Sequence, residues 1–221
     1  MHKSCFVLFF LLSIAYAAVA QEVTPTFSFA DGLYFSYEEF AGNQPGIAMD
    51  EVQSRLVTNP RTWITQVESL SRRSNNKAIA IDQLWGICID GIPYIRIPAD
   101  SIDKSLPAFA GLRITGNLCY FQYERNEERE VEMSAYNPLT GKPFRSGTIT
   151  RDFLEVRERL LRFETGEMAP FTRRQLIQWT TRDQVIQTTL RRLSPKTEDL
   201  EDQLYNIMLS FNKRHPVFIK D

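Results

Sequence analysis

Two apolar runs meet at Asp90-Gly91: LWGICI over residues 84–89 and IPYIRI over residues 92–97. Both central residues of a type I′ turn need positive φ, which Asp-Gly tolerates, so the pattern predicts a β-hairpin. Its rungs would join 89 to 92, 87 to 94 and 85 to 96. One face then carries Trp85, Ile87, Ile89, Ile92, Tyr94 and Arg96, and the other Leu84, Gly86, Cys88, Pro93, Ile95 and Ile97. Both are largely apolar, so the hairpin is expected to be covered on both sides. Pro93 has no N–H to give a further strand, which predicts an edge or a bulge beside it.

Upstream, Phe27-Ser28-Phe29 leads through Asp31-Gly32 into Leu33-Tyr34-Phe35, and Ser36 with Glu39 has the form of a capping box opening a short helix. Residues 49–56 fit a helix or a strand, residues 63–70 read as a strand, and residues 71–77 as a polar loop. Downstream, Gly116-Asn117 between residues 112–115 and 118–123 predicts a second two-residue hairpin, with Cys119, Phe121 and Tyr123 on its apolar face. The charged run ERNEERE, residues 124–130, reads as a solvated loop before a strand at 131–136. Residues 155–163 and 168–171 read as a hairpin around Thr165-Gly166.

From Thr172 the period changes. Thr172 and Gln175 form a second capping box, and Leu200, Leu204, Ile207, Met208 and Phe211 recur at helical spacing over three turns. The expected fold is therefore α+β. An antiparallel, β-rich body of several hairpins over residues 27–171 is followed by a helical segment over 172–212, packed on the sheet by that stripe.

The N-terminus adds an address. His2-Lys3, the apolar run CFVLFFLLSIA and small residues ending Ala18-Val19-Ala20 read as a signal peptide cut before Gln21. The apolar core is shorter than the roughly 20 residues that span a bilayer, and no later run reaches that length. Residues 1–20 are thus expected to leave, with residues 21–221 forming one secreted or periplasmic domain. Lys and Arg total 26 against 27 acidic residues, with no basic cluster, so a nucleic-acid partner is not expected.

The order of short motifs resembles that of small secreted Gram-negative envelope proteins that are uncharacterised as a group. The motifs are Gly32-Leu33-Tyr34, Glu39-Phe40, Trp85-Gly86-Ile87-Cys88 before Asp90-Gly91, Thr165-Gly166 before Pro170-Phe171-Thr172, and Asn212-Lys213-Arg214-His215-Pro216. Ile89, inserted between Cys88 and Asp90, departs from the pattern. The resemblance implies an envelope address and no particular activity.

Little catalytic chemistry is encoded. Once His2 leaves, His215 is the sole histidine, so a multi-histidine zinc site is impossible. No phosphate loop, G-x-S-x-G or H-E-x-x-H occurs, and no cofactor is expected. Cys88 or Cys119 with His215 as base is disfavoured, because both thiols sit on apolar strand faces. The same two cysteines, in an oxidising compartment, are a candidate disulfide; unpaired, they would be small core residues. The aromatic load near the N-terminus (Phe27, Phe29, Tyr34, Phe35, Tyr37 and Phe40) is either core or a partner-binding surface. The leading expectation is a non-enzymatic module that binds an unknown protein or envelope component. The alternative is a carboxylate-based, glycosidase-like hydrolase, which requires two carboxyl groups about 5–10 Å apart across a cleft.

Overall fold

The computed structural model describes residues 21–98, 106–136, 138–194 and 199–219, without the side chain of Phe144; the expected signal peptide lies outside them. The fold is α+β, with strands first and helices last. A seven-stranded antiparallel sheet runs in the order β2-β1-β5-β6-β7-β4-β3. Its strands are β1 (Gly32–Tyr34), β2 (Ile47–Ala48), β3 (Val52–Asn59), β4 (Ile64–Arg72), β5 (Gly86–Ile89), β6 (Ile92–Arg96) and β7 (Ala108–Gly111). A three-stranded sheet runs β10-β9-β8, from β8 (Leu118–Tyr136), β9 (Pro143–Arg162) and β10 (Met168–Pro170). The helices are α1 (Tyr37–Ala41), α2 (Arg173–Trp179), α3 (Gln184–Arg192) and α4 (Leu200–Arg214).

The period-2 alternation of the strands divides the core into layers. One face of the large sheet (Cys88, Ile95, Ile97, Ala108, Ala110) packs on Cys119, Phe121, Tyr123 and Leu161 of the small sheet. Its other face (Leu33, Val67, Ile87, Tyr94, Phe109) has a core of its own beneath the β3–β4 hairpin. The opposite face of the small sheet (Leu118, Tyr120, Leu160) receives the helices through Leu176, Leu190, Leu204, Met208 and Phe211. The α4 stripe thus packs on the sheet as its spacing predicts.

The 84–97 hairpin forms in the expected register. Asp90 and Gly91 have φ of 53° and 76°, and Ile89↔Ile92, Cys88↔Pro93 and Ile87↔Tyr94 are partners. Gly91 is required twice over, since an added Cβ would also lie 2.1 Å from Ser28 Oγ. β6 is not an edge, because β7 lies beside it, with Gly111 opposite Tyr94. That ladder stops at Pro93, whose carbonyl accepts from Leu112 N–H at 2.9 Å.

Two expectations are corrected. The turn at Gly116-Asn117 is wider than two residues, and the bridge that closes it joins Ile114 to Tyr120. The reason is Asn212 on α4, whose amide pairs with both Leu118 N–H and Leu118 C=O, each at 2.8 Å, and removes Leu118 from the local ladder. Residues 124–130 are strand, not loop, within a ladder that is continuous from Leu118↔Arg162 to Ala135↔Arg145 and shifts register before Tyr136↔Pro143. Alternating charge excludes a core strand, but a two-stranded ribbon with water on both faces accommodates it.

Both N-caps form: Ser36 Oγ accepts from Glu39 N–H at 3.3 Å while Glu39 reaches back one residue past the cap to Phe35 N–H at 2.6 Å, and Thr172 Oγ1 accepts from Gln175 N–H at 3.2 Å.

Candidate functional site

The N-terminal aromatics are placed mainly in the core. Phe29, Tyr34 and Phe40 are buried, and Phe29 stacks on Phe40 at 4.9 Å. Phe27, Phe35 and Tyr37 are half-buried; the Tyr37 ring covers Gly166 and its hydroxyl donates to the Phe163 carbonyl. Buried rings cannot meet a partner, so the partner-binding expectation for Phe29, Tyr34 and Phe40 is withdrawn.

Cys88 and Cys119 are free and buried, the former on β5 and the latter on β8. Cys88 Sγ points at Phe29 C=O, 3.6 Å away, and at Asp31 Oδ1, 3.5 Å away; Cys119 Sγ faces Gly116 C=O at 3.4 Å. Each thiol is thus turned to an acceptor in its own neighbourhood rather than to the other cysteine. Burial, with the Asp31 charge behind it, pushes the Cys88 thiol far above its ordinary range, and burial pushes Cys119 up to about 12. Neither is a nucleophile at neutral pH. Native protein at pH 8 should therefore react slowly with a thiol reagent, and unreduced protein starting at Gln21 should give two equivalents on unfolding; zero equivalents would establish the disulfide instead.

His215 is committed elsewhere. Its Nε2 lies 2.9 Å from Asp183 Oδ2, which also accepts from Arg214 Nε at 2.6 Å. Asp183 is the N-cap of α3, accepting from Val185 and Ile186 N–H at 3.0 and 3.1 Å. Burial alone would raise its pKa, but Arg214, the Ile186 N–H and His215 outweigh that and hold the carboxyl well below the usual carboxylate range. This centre ties the start of α3 to the end of α4. Its partners are distant in sequence, and its one local signal is Asp183 standing just before an apolar helical period.

Two concave sites flank the small sheet. On the helix side, Glu158, Glu201 and Asp202 line a pocket of about 250 Å³ with Arg113, Tyr120 and Tyr205. Tyr120 donates to Glu158, and burial followed by that hydrogen bond raises its phenol. On the other side, a cleft of about 450 Å³ opens between the two sheets, walled by Trp85, Phe121, Tyr123 and Met168 with Arg96 and Arg159. Among the described residues, no group of three or more His, Cys, Asp or Glu side chains is placed to hold a metal ion.

The most distinctive surface is the outer part of the β8–β9 ribbon. Beyond β10, which pairs only with Arg159, Leu160 and Leu161, no third strand flanks it among the described residues. From Glu124↔Val156 to its tip it extends roughly 40 Å at ~3.3 Å per residue. The ladder sorts its side chains by charge. One face carries Glu124, Glu128, Glu130, Glu132 and Asp152 with no basic residue. The other bears Met133, Ile149 and Phe153 among arginines, with Arg129–Glu127 and Arg157–Glu155 ion pairs at 2.6 and 2.9 Å. Arg129 lies 5.8 Å from the Phe153 ring centre. Met133, Tyr136, Leu139, Leu154 and Val156 are 45, 61, 93, 59 and 51% exposed.

Compared with known proteins, the chain matches no family model, no curated protein and no solved structure.

Proposed function

We propose that the protein is an exported, non-enzymatic binding module whose interaction arm is the outer β8–β9 ribbon. One observation carries the reading: a two-stranded ribbon exposes Met133, Tyr136, Ile149, Phe153 and Leu154 along a length that no third strand flanks among the described residues. Isolated ribbons are marginal in water, and contiguous exposed apolar groups mark contact surfaces. The charge-sorted faces suit a partner with an apolar, acidic patch for one side or a basic patch for the other. Export is supported by the signal-like segment before Gln21, and no helix among the described residues is long and apolar enough to cross a membrane.

The test replaces residues 126–154 by Asn-Gly, joining Arg125 to Glu155 through a two-residue turn. The body should melt within a few degrees of the parent, while crosslinking in envelope extract should lose the partner that the parent captures. An unchanged crosslinked partner would overturn the reading. The second reading, a carboxylate-based hydrolase, is favoured by the Glu158, Glu201 and Asp202 pocket. Glycan hydrolysis that persists without the arm and disappears in Glu158→Gln would establish it in place of the first.

A further inference from the structure

The cleft between the sheets has the make-up of a ligand site. Its volume, about 450 Å³, falls in the range that encloses a small organic molecule. The β8–β9 register places Phe121 opposite Arg159 and puts Tyr123 on the same face. Met168, opposite Leu161, extends that wall through β10. Trp85 closes the cleft from the large sheet, held by its stacking at 4.9 Å on buried Phe40. The walls are therefore aromatic and fixed by the core behind them.

The two arginines differ. Arg96 at the rim donates to the Asp82 carbonyl and is already engaged. Arg159 is half-buried and lines the cleft, and its side chain makes no hydrogen bond or ion pair with any described residue. A guanidinium that shares a cleft with aromatic side chains, and has no anionic partner among the described residues, has five donors to offer. Such a fork recognises a carboxylate, sulfonate or phosphate, while the surrounding rings exclude water from the remainder of the ligand.

We infer that this cleft binds a free anionic amphiphile, a small molecule with a flat or chain-like apolar body ending in one acidic group, and that Arg159 takes the acidic end. The site is separate from the ribbon arm and does not depend on the arm's role. Among the described lining residues no carboxylate faces the cleft, so a cationic ligand would leave Arg159 unmatched, and an anion matches its charge.

The experiment uses the full chain from Gln21 and two dyes of similar shape: anilinonaphthalene sulfonate, which is anionic, and phenylnaphthylamine, which is neutral. The anionic dye should bind with one site per chain, and Arg159→Gln should weaken it about tenfold or more while leaving the neutral dye within twofold. Met168→Trp, which fills the cleft, should abolish both and so separates this site from the exposed apolar face of the ribbon. Decanoate should displace the anionic dye from the parent protein, and decanol should do so far less well. Equal sensitivity of the two dyes to Arg159→Gln, or dye binding that survives Met168→Trp, would overturn the assignment. Arg159-dependent sedimentation with anionic vesicles, without displacement by decanoate, would overturn it as well.

Discussion

Leu204→Asp should destabilise the protein by roughly 4 kcal/mol, because the substitution forces a charge into the layer between α4 and the small sheet. Leu204 is 4% exposed and shares its cluster with Leu118, Tyr120, Leu160, Met208 and Phe211. Its neighbours in that cluster are apolar and offer a carboxylate no partner. At about 2–4 °C per kcal/mol for a domain of this size, the melting temperature should fall by about 10 °C. Ser210→Asp, on the exposed side of the same helix, should change stability by less than about 1 kcal/mol. Thermal unfolding of both variants reads the contrast. Equal melting temperatures would mean that the stripe does not face the core.

That prediction was available from the spacing of five apolar residues, and it shows which parts of this fold are legible in a sequence. Local patterns with one physical solution were read correctly. Asp90-Gly91 fixed a turn and thereby a register, Ser36 and Thr172 fixed helix starts, and the α4 stripe fixed a buried face. Long-range partners were not legible. Asn212 claims the backbone of Leu118 across 94 positions of sequence and alters a turn that reads locally as a tight hairpin.

The ribbon was missed for a different reason. Periodicity arguments look for an apolar face, and residues 124–130 have none because both of their faces meet water. The sorting was nevertheless partly present: within ERNEERE, both arginines fall on one parity, with Glu127, while Glu124, Glu128 and Glu130 fall on the other. Alternation of sign, read like alternation of hydropathy, would have suggested a strand. The cleft was beyond reach, since Trp85, Phe121 and Arg159 come together only when the two sheets are stacked.

Asp183→Ala should cost roughly 3 kcal/mol at pH 7, through loss of an N-cap and of the acceptor for two cationic-capable side chains. The carboxylate is 1% exposed and Arg214 51%, so the deleted group is the buried partner of the pair. Asp183→Asn separates the contributions, because Asn can still cap α3 but carries no charge for Arg214 and His215. The pH dependence has a definite sign. The folded carboxyl is held below its unfolded value, so its contribution is fully present above about pH 4. It declines as pH falls from there through the depressed folded value. Urea unfolding of the parent and of Asp183→Asn should therefore show a stability gap about 1 kcal/mol smaller at pH 3 than at pH 5. Other carboxyl groups titrate in both proteins and cancel in the difference. A gap of the same size at pH 3 as at pH 5 would show that the Asp183 charge contributes nothing to joining α3 and α4.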